Sequence, residues 1–322
     1  MYTIRFSLAL LIILSLANFL YSQEDTTKSE HKSITELKDL YLKNRQIKPF
    51  LALEYAAQAL QLAESLGDST EIATIYNYLG DSYFDKKSYS ISLDNYYKSY
   101  KIFQRLGNQI QVAYSYLDIG TIYFEQNLSS IAKSYFEKAK EIFQQNEDKK
   151  GLSFAYDKIG FVLLKQGDEN EALRYFIDSD YFRKTLNDTL LSALSNKNIA
   201  EVYLQREEYE KAISFLNEAS KRFKDINSPL NIAETDYKIG DIYAYNEEYK
   251  EAVEYYNSAL SNYSPFDKQY EIGKVYNQLG DVYFKLKNKD LLKTNAQKAL
   301  KIGNDFEYLD IKAKAYSLMS KY

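Results

Sequence analysis

The chain has 322 residues, among them 41 Lys and Arg, 45 Asp and Glu, one His and no Cys. Because positive charge is not in excess, nucleic acid is not an expected partner. The absence of cysteine excludes disulfides and thiolate metal ligands, and a single histidine leaves no nucleophile–base pair. The sequence also lacks a glycine-rich phosphate loop, so it predicts no enzyme activity, no metal site and no cofactor.

Residues 1–22 have the pattern of a secretory signal peptide. Arg5 precedes an apolar run over residues 6–20. Cleavage after Ser22 is favoured, and Ala17 offers a second position with small residues around it. The product is therefore expected to be exported, either periplasmic or secreted.

An uncleaved membrane anchor at residues 6–21 is the alternative interpretation. We favour cleavage because the apolar run is shorter than the ~20 residues that a spanning helix needs. A membrane is an expected partner only if the leader is uncleaved or the chain continues. Residues 23–32 are polar and show no apolar periodicity, which predicts a flexible leader.

A small residue recurs every forty positions through the rest of the chain. The series is Gly80, Gly120, Gly160, Ala200, Gly240 and Gly280. A second series stands seven positions earlier, at Ala73, Ala113, Ser153, Ala193, Ala233 and Gly273. Two series of small side chains in fixed register mark places where helices approach closely, which is the sequence signature of a repeat protein.

Each forty-residue unit contains two helical patterns. Around Gly80, large residues stand at Tyr76, Leu79 and Tyr83, and a second set follows at Ser92, Tyr96 and Ser99, all at helical spacing. These patterns resemble the tetratricopeptide repeat, with its aromatic–x–x–Leu–Gly–x–x–Tyr core on helix A and Ala–x–x–x–aromatic–x–x–Ala on helix B. The resemblance covers about Ser33 to Tyr322.

The resemblance implies an all-α fold, a right-handed superhelical α-solenoid of antiparallel helix pairs. We assign residues 33–322 to seven repeats and a final A helix. Each unit is six residues longer than the usual period of about 34, and we place the extra residues in longer helices. Two units depart from the pattern. Counted from the unit of Gly80, they are the fourth, with Asn196 and Ala200, and the fifth, with Asp236.

Turn-forming residues support these helix boundaries. Pro49, Pro229 and Pro265 are predicted to begin helices, the last two after a capping serine. The turns between units are predicted at Gly67, Gly107, Asn187, Asn227 and Asp267.

In this family the A helices line a concave groove that binds extended peptides or partner helices, so the resemblance implies a ligand-binding surface. We name its candidates the groove positions: Asn77, Tyr114, Leu117, Phe124, Phe154, Asp157, Phe161, Lys197, Glu201, Tyr237, Asp241 and Asn277. The surface should be apolar near Phe124, Phe154 and Phe161, and polar near Lys197, Tyr237 and Asn277. Alternatively, the aromatic side chains fill the inner surface of the solenoid and bind nothing.

The sequence thus predicts a non-catalytic scaffold that binds a protein or peptide segment in the groove. The alternative is an extracytoplasmic sensor segment of a membrane signalling regulator of the histidine kinase or transcriptional regulator type. That alternative requires a longer natural chain or a separate partner subunit.

Overall fold

The computed structural model describes residues 33–266 and 268–321. The predicted signal peptide, the predicted leader, Asp267 and Tyr322 lie outside the described residues. Within these two ranges the regular structure is entirely α-helical, as the repeat pattern predicts. None of these helices is both long enough and apolar enough to cross a bilayer.

Fifteen helices occupy the described residues. They are α1 (33–44), α2 (Pro49–Leu66), α3 (Ser69–Asp85), α4 (Tyr89–Arg105), α5 (Gln109–Glu125), α6 (Ser129–Gln145), α7 (Lys149–Gln166), α8 (Glu169–Thr185), α9 (Thr189–Gln205), α10 (Tyr209–Asp225), α11 (Pro229–Tyr245), α12 (Tyr249–Tyr263), α13 (Gln269–Lys285), α14 (Lys289–Asp305) and α15 (Leu309–Met319). Odd-numbered helices are A helices and even-numbered helices are B helices, so the chain is an α-solenoid of helix pairs.

From α2 onward, each helix begins twenty residues after the previous one. Most helices have 17 residues, and most connections between them have three. The helices therefore account for the length of the unit, as predicted.

The described chain divides into two compact units, with the boundary between Ile122 and Tyr123 inside α5. In the first unit, Ile34 and Tyr41 of α1 pack on the small residues Ala52, Ala56 and Ala59 of α2. In the second unit, α15 completes the packing of the last pair, because its residues Ile311 and Ala315 share a buried cluster with Ala299 of α14.

Left-handed residues end the helices where the sequence predicts turns. The φ angle is +68° at Gly67, +69° at Gly107, +53° at Asn187 and +50° at Asn227. Gly67 N–H donates to Glu64 O and Asp68 N–H donates to Ala63 O, which closes the last turn of α2. The predicted turn at Asp267 is outside the described residues.

The prolines follow the prediction at two of three positions. Pro49 and Pro229 stand at the start of α2 and α11, where their missing N–H costs no hydrogen bond. The prediction was wrong for Pro265, since α12 ends at Tyr263 and α13 begins only at Gln269. Proline is common just after a helix because it cannot continue one, so Pro265 belongs to the end of α12.

Three of the recurring glycines, Gly80, Gly160 and Gly240, lie where an aromatic ring of the B helix meets the A helix, whereas Gly280 faces Leu318 of α15. A Cβ atom on Gly160 would stand 2.7 Å from Cε1 of Phe176, and one on Gly240 would stand 2.8 Å from Cδ1 of Tyr256. No carbon atoms pack at such distances, so these positions exclude any side chain. In the fourth unit Ala200 packs instead with Leu216, whose aliphatic side chain leaves room for a methyl group.

We predict that Gly160→Ala destabilises the protein by about 1 to 3 kcal/mol, because the methyl group overpacks against Phe176. Alanine has the higher helix propensity, by about 1 kcal/mol, so such a loss must arise from packing. The double variant Gly160→Ala, Phe176→Leu reproduces the Ala200–Leu216 pair and should be more stable than the sum of the single losses predicts. Urea unfolding followed by circular dichroism measures this coupling, and additive losses would contradict the explanation.

Candidate functional site

The groove positions fall in both units, and each unit is considered by itself. In the first unit, Leu117 is buried, while Asn77 and Tyr114 are half-buried. The Asn77 Oδ1 atom is shielded from solvent and has no hydrogen-bond partner among the described residues. Asn77 therefore retains an unused acceptor, whereas Leu117 belongs to the core.

The three phenylalanines predicted to form an apolar surface are half-buried in the second unit. The Lys165 ammonium lies 4.7 Å from the centroid of the Phe124 ring, and the Arg183 guanidinium lies 5.5 Å from that of Phe154. The Phe161 ring packs edge-on against Phe176 with centroids 4.9 Å apart. Each ring thus has a partner within the chain and presents only part of its surface to solvent.

Asp157 is buried and paired with Arg183, a residue that the sequence analysis did not single out. Arg183 Nη2 donates to Asp157 Oδ2, and only 1% of Arg183 is exposed. The guanidinium also donates to Ser153 Oγ, at 3.3 Å, and to Ser195 Oγ, at 3.2 Å. This network holds the Asp157 side chain inside the core, so it is not a free groove residue.

The repeat register contained a signal for this pair. Arg183 stands where other units have Phe103, Phe143 and Phe223, so an arginine replaces a core aromatic residue. A charged side chain at such a position is retained only with a compensating partner. Asp157 is the carboxylate that supplies it.

Lys197 and Glu201 of α9 each form an ion pair with the next A helix, α11. In one pair α9 provides the positive group, and in the other it provides the negative group. Lys197 Nζ lies 2.5 Å from Glu234 Oε2, and Lys238 Nζ donates to Glu201 Oε1. Both pairs join α9 to α11. These two groove positions are therefore already engaged between repeats.

Asp241 accepts two hydrogen bonds on one oxygen. The Tyr256 hydroxyl donates to Asp241 Oδ1 at 2.6 Å, and Gln278 Nε2 donates to the same atom at 2.9 Å. Burial raises the pKa of Asp241 above its ordinary value, although these hydrogen bonds and the nearby Lys274 and Lys238 act to lower that pKa. The carboxylate is thus a satisfied acceptor whose negative charge is partly desolvated.

Tyr237 and Asn277 lie together in a cleft between three successive A helices. The cleft has a volume of about 190 Å³ and is lined by Tyr237 of α11, by Lys274, Asn277 and Gln278 of α13, and by Asp310, Ile311 and Lys314 of α15. Asn277 Nδ2 donates to Ile311 O at 3.2 Å, but its buried Oδ1 atom has no partner among the described residues. The groove positions of the last repeats thus meet in a polar cleft with an unused acceptor.

The charged side chains around this cleft have different kinds of partner. Lys274 Nζ lies 5.0 Å from the centroid of the Tyr237 ring. Lys314 Nζ lies 2.5 Å from Asp281 Oδ2, and Asp310 accepts a hydrogen bond from the Tyr270 hydroxyl at 2.7 Å. The sequence analysis missed Lys314, although it stands forty residues after Lys274 in the repeat register. Across residues 33–266 and 268–321, no group of three His, Cys, Asp or Glu side chains could hold a metal ion.

We predict that Arg183→Phe destabilises the protein by about 3 to 5 kcal/mol, because the change leaves the Asp157 charge buried without its partner. The control is the double variant Asp157→Leu, Arg183→Phe. It introduces the residue types that stand forty positions earlier in the chain, at Leu117 and Phe143. It should recover most of the loss in urea unfolding. Equal losses in the single and double variants would contradict the role of the pair.

We predict that Asp241→Asn raises the thermal unfolding midpoint at neutral pH, since the amide oxygen can still accept both hydrogen bonds without a buried charge. The pKa of Asp241 is raised by folding, so its ionisation costs stability as the pH rises from the unfolded value of about 3.9 through the folded pKa. The advantage of the variant should therefore vanish near pH 3 and grow above pH 4.

Asp241→Leu serves as the control for this prediction. It removes the acceptor as well as the charge and should be destabilised by about 1 to 3 kcal/mol. An Asp241→Asn difference that does not change with pH would exclude the raised pKa as its cause.

Comparison with protein families identifies the repeats. A family model described as Tetratricopeptide repeat matches residues 71–145 and 151–225, and a second model of the same description matches residues 234–264 and 273–305. No curated protein sequence matches the chain.

Several solved structures share the fold. A Rap protein in complex with competence and sporulation factor superposes with a TM-score of 0.65 at 16% identity, over 90% of this chain and 84% of that one. A Rap conjugation gene regulator of the plasmid pLS20, in complex with a peptide, gives 0.59 at 15% identity over 91% and 95%. The apo form of the quorum sensor NprR from B. thuringiensis gives 0.54 at 15% identity over 91% and 87%.

At these identities the structural likeness establishes the fold alone. The sequence matches cover both helices of successive units, and the helices lie in the pairs that the matches require. The chain belongs to the tetratricopeptide repeat family.

Proposed function

We propose that the protein is an exported, non-catalytic scaffold that binds a peptide or a protein segment along the A helices of its second unit. Membership of the tetratricopeptide repeat family supports a binding role. Two of the similar structures are complexes, one with competence and sporulation factor and one with a peptide. These ligands are those of the similar proteins, and they support the class of ligand for this chain without identifying it.

The cleft between α11, α13 and α15 is the observation that carries the proposal. It lies on the side of the A helices that the groove positions occupy, and its lining includes Tyr237 and Asn277. The buried Asn277 Oδ1 atom has no donor among residues 33–266 and 268–321, and a buried acceptor without a partner costs free energy. The backbone N–H of an extended peptide is a donor of suitable size for this atom.

The charge of the cleft favours an acidic group on the ligand. Asp310 is engaged by Tyr270, whereas the Lys274 ammonium contacts the ring of Tyr237. Lys274 would gain a charge-assisted hydrogen bond from a carboxylate, and such a bond is stronger than one between neutral groups. The proposed ligand therefore places a carboxylate beside Lys274.

The apolar part of the ligand would contact the half-exposed rings of Phe124 and Phe161. These rings keep their partners Lys165 and Phe176 in the free protein. The surface is therefore preorganised, which lowers the conformational entropy lost on binding.

We predict that Lys274→Ala weakens peptide binding by about tenfold. Peptides selected from a random displayed library against residues 23–322 provide the ligand, and fluorescence anisotropy gives the dissociation constant. Lys298→Ala is the matched control, because Lys298 Nζ also lies over a tyrosine, 5.1 Å from the Tyr276 centroid, but on a B helix. Its affinity should remain unchanged.

A second arm of this experiment tests the apolar part of the surface. The double variant Phe124→Ser, Phe161→Ser should lose peptide binding, whereas Ile177→Ser, Tyr181→Ser on the exposed side of α8 should not. Circular dichroism checks that each variant is folded. If Lys274→Ala and the double variant Phe124→Ser, Phe161→Ser are both folded and both bind the peptide with full affinity, binding along the A helices is refuted.

Export is tested by the mass and cellular fraction of the native protein. The apolar N-terminal run motivates the prediction that a soluble species beginning at Gln23 occurs in the envelope or the medium. Mass spectrometry of the protein purified from its own cells measures this. A heavier, membrane-bound species would contradict cleavage and would favour the sensor segment of a membrane regulator.

A further inference from the structure

A polar cavity of about 270 Å³ is lined by α8, the B helix of the third repeat, and by α9 and α10 of the fourth, and none of the groove positions lines it. Its lining includes Asp180 of α8, Ser192 and Asn196 of α9, and Ser214, Phe215 and Arg222 of α10. Asp180 and Ser192 are buried at its base, and Ser214 is exposed at its mouth. The cavity is therefore accessible from solvent and leads to a buried carboxylate.

The cavity lies where the fourth repeat lacks the usual tyrosine. Asn196 takes the register position of Tyr76, Tyr116, Tyr156 and Tyr276. In the third repeat the Tyr156 ring packs against Tyr175, at 5.3 Å between centroids, and Phe182, at 5.7 Å. Phe215 and Arg222 stand forty residues after these two partners. The fourth repeat thus keeps one aromatic wall of a tyrosine site, has an arginine in place of the other, and lacks the tyrosine itself.

The fifth repeat also lacks this tyrosine, yet it fills the position differently. Asp236 accepts hydrogen bonds from Ser220 Oγ at 3.0 Å and from Ser258 Oγ at 2.5 Å. Both carboxylate oxygens are satisfied, and Asp236 is almost fully buried. The open cavity is therefore a particular feature of the fourth repeat and does not follow merely from losing the tyrosine.

Asp180 supplies an acceptor that no described residue satisfies. Only 8% of Asp180 is exposed, and its buried Oδ1 atom has no hydrogen-bond partner within the described part of the chain. Its Oδ2 atom lies 2.6 Å from Lys184 Nζ, and Arg222 Nη2 lies 3.1 Å from Glu218 Oε1. Because the charges balance in two pairs, a neutral ligand with one hydrogen-bond donor suits the cavity.

A phenol meets these requirements. Elsewhere in the chain, tyrosine hydroxyls donate to partly buried aspartates, from Tyr96 to Asp81 at 2.7 Å and from Tyr256 to Asp241 at 2.6 Å. An aromatic ring can pack against Phe215 and under the Arg222 guanidinium. A cavity of roughly 150 Å³ holds one benzene molecule, so the available volume is sufficient.

We propose that this cavity binds a phenol ring, either the tyrosine side chain of a partner or a small free phenol, with its hydroxyl donating to Asp180. The ligand replaces in trans the ring that four other repeats supply from their own A helix, at Tyr76, Tyr116, Tyr156 and Tyr276. The site is independent of the proposed groove, since its lining includes none of the groove positions.

The test uses p-cresol, which is the side chain of tyrosine, and 4-methylanisole, which has the same ring without the hydroxyl donor. Ligand-observed NMR titration of the mature chain should detect p-cresol binding, with 4-methylanisole about tenfold weaker or more. Asn196→Tyr restores the internal ring and should abolish p-cresol binding, whereas Asn196→Ala leaves the cavity open and should retain it. Absence of p-cresol binding to the wild type, or unchanged binding to a folded Asn196→Tyr variant, would overturn the proposal.

Asp180→Asn gives a second readout that does not depend on filling the cavity. The preference for p-cresol over 4-methylanisole should decrease, because a neutral amide oxygen is a weaker acceptor than a carboxylate. An unchanged preference would refute the contact with Asp180. N-acetyl-tyrosinamide distinguishes the two sources of the ring: its binding in competition with p-cresol indicates a tyrosine of a partner, and binding of p-cresol alone indicates a free phenol.

Discussion

The close approach of a B-helix ring to the glycine of its A helix, present in three repeats, is the constraint on which the rest of the structure depends. At Gly80, Gly160 and Gly240, a Cβ atom would stand less than 3 Å from an aromatic carbon. Each contact sets the distance between the two helices of a repeat. In the fourth repeat both members of the contact differ, since Ala200 packs with Leu216. The helix distance therefore depends on the combined size of the two facing residues and not on glycine alone.

A fixed helix distance with a period of forty residues brings the same positions of successive A helices together. Lys197 meets Glu234, and Asp241 meets Gln278, each pair 37 residues apart. The predicted groove positions thus also join the repeats of this chain. Ion pairs near the surface contribute only about 0 to 1 kcal/mol each, so a ligand could exchange with them at little cost in stability.

The middle repeats replace core aromatic residues with polar ones, and the consequence differs at each position. Arg183 is neutralised by Asp157, and Asp236 is satisfied by two serines. Beside Asn196 lies a cavity lined by the Asp180 carboxylate, whose Oδ2 atom pairs with Lys184 and whose Oδ1 atom has no partner among the described residues. A buried polar group generally requires a hydrogen-bond partner. Beside Asn196, only one of the two Asp180 carboxylate oxygens has a partner among the described residues.

The amino-acid sequence by itself determined the helix pairs, their period and most of their turns, because these depend on local periodicity and on backbone preferences at residues such as Gly67 and Asn187. It also predicted that the candidate binding surface lies on the A helices, but it did not show which of those side chains already have partners. Only the tertiary structure decided that Asp157 is paired with Arg183, that Lys197 is engaged by Glu234, and that Asn277 Oδ1 has no hydrogen-bond partner in the part of the chain that the structure describes. The physical reason is that these partners lie 26 to 37 residues away in the chain. Their contacts depend on how helices of different repeats pack, which no local pattern specifies.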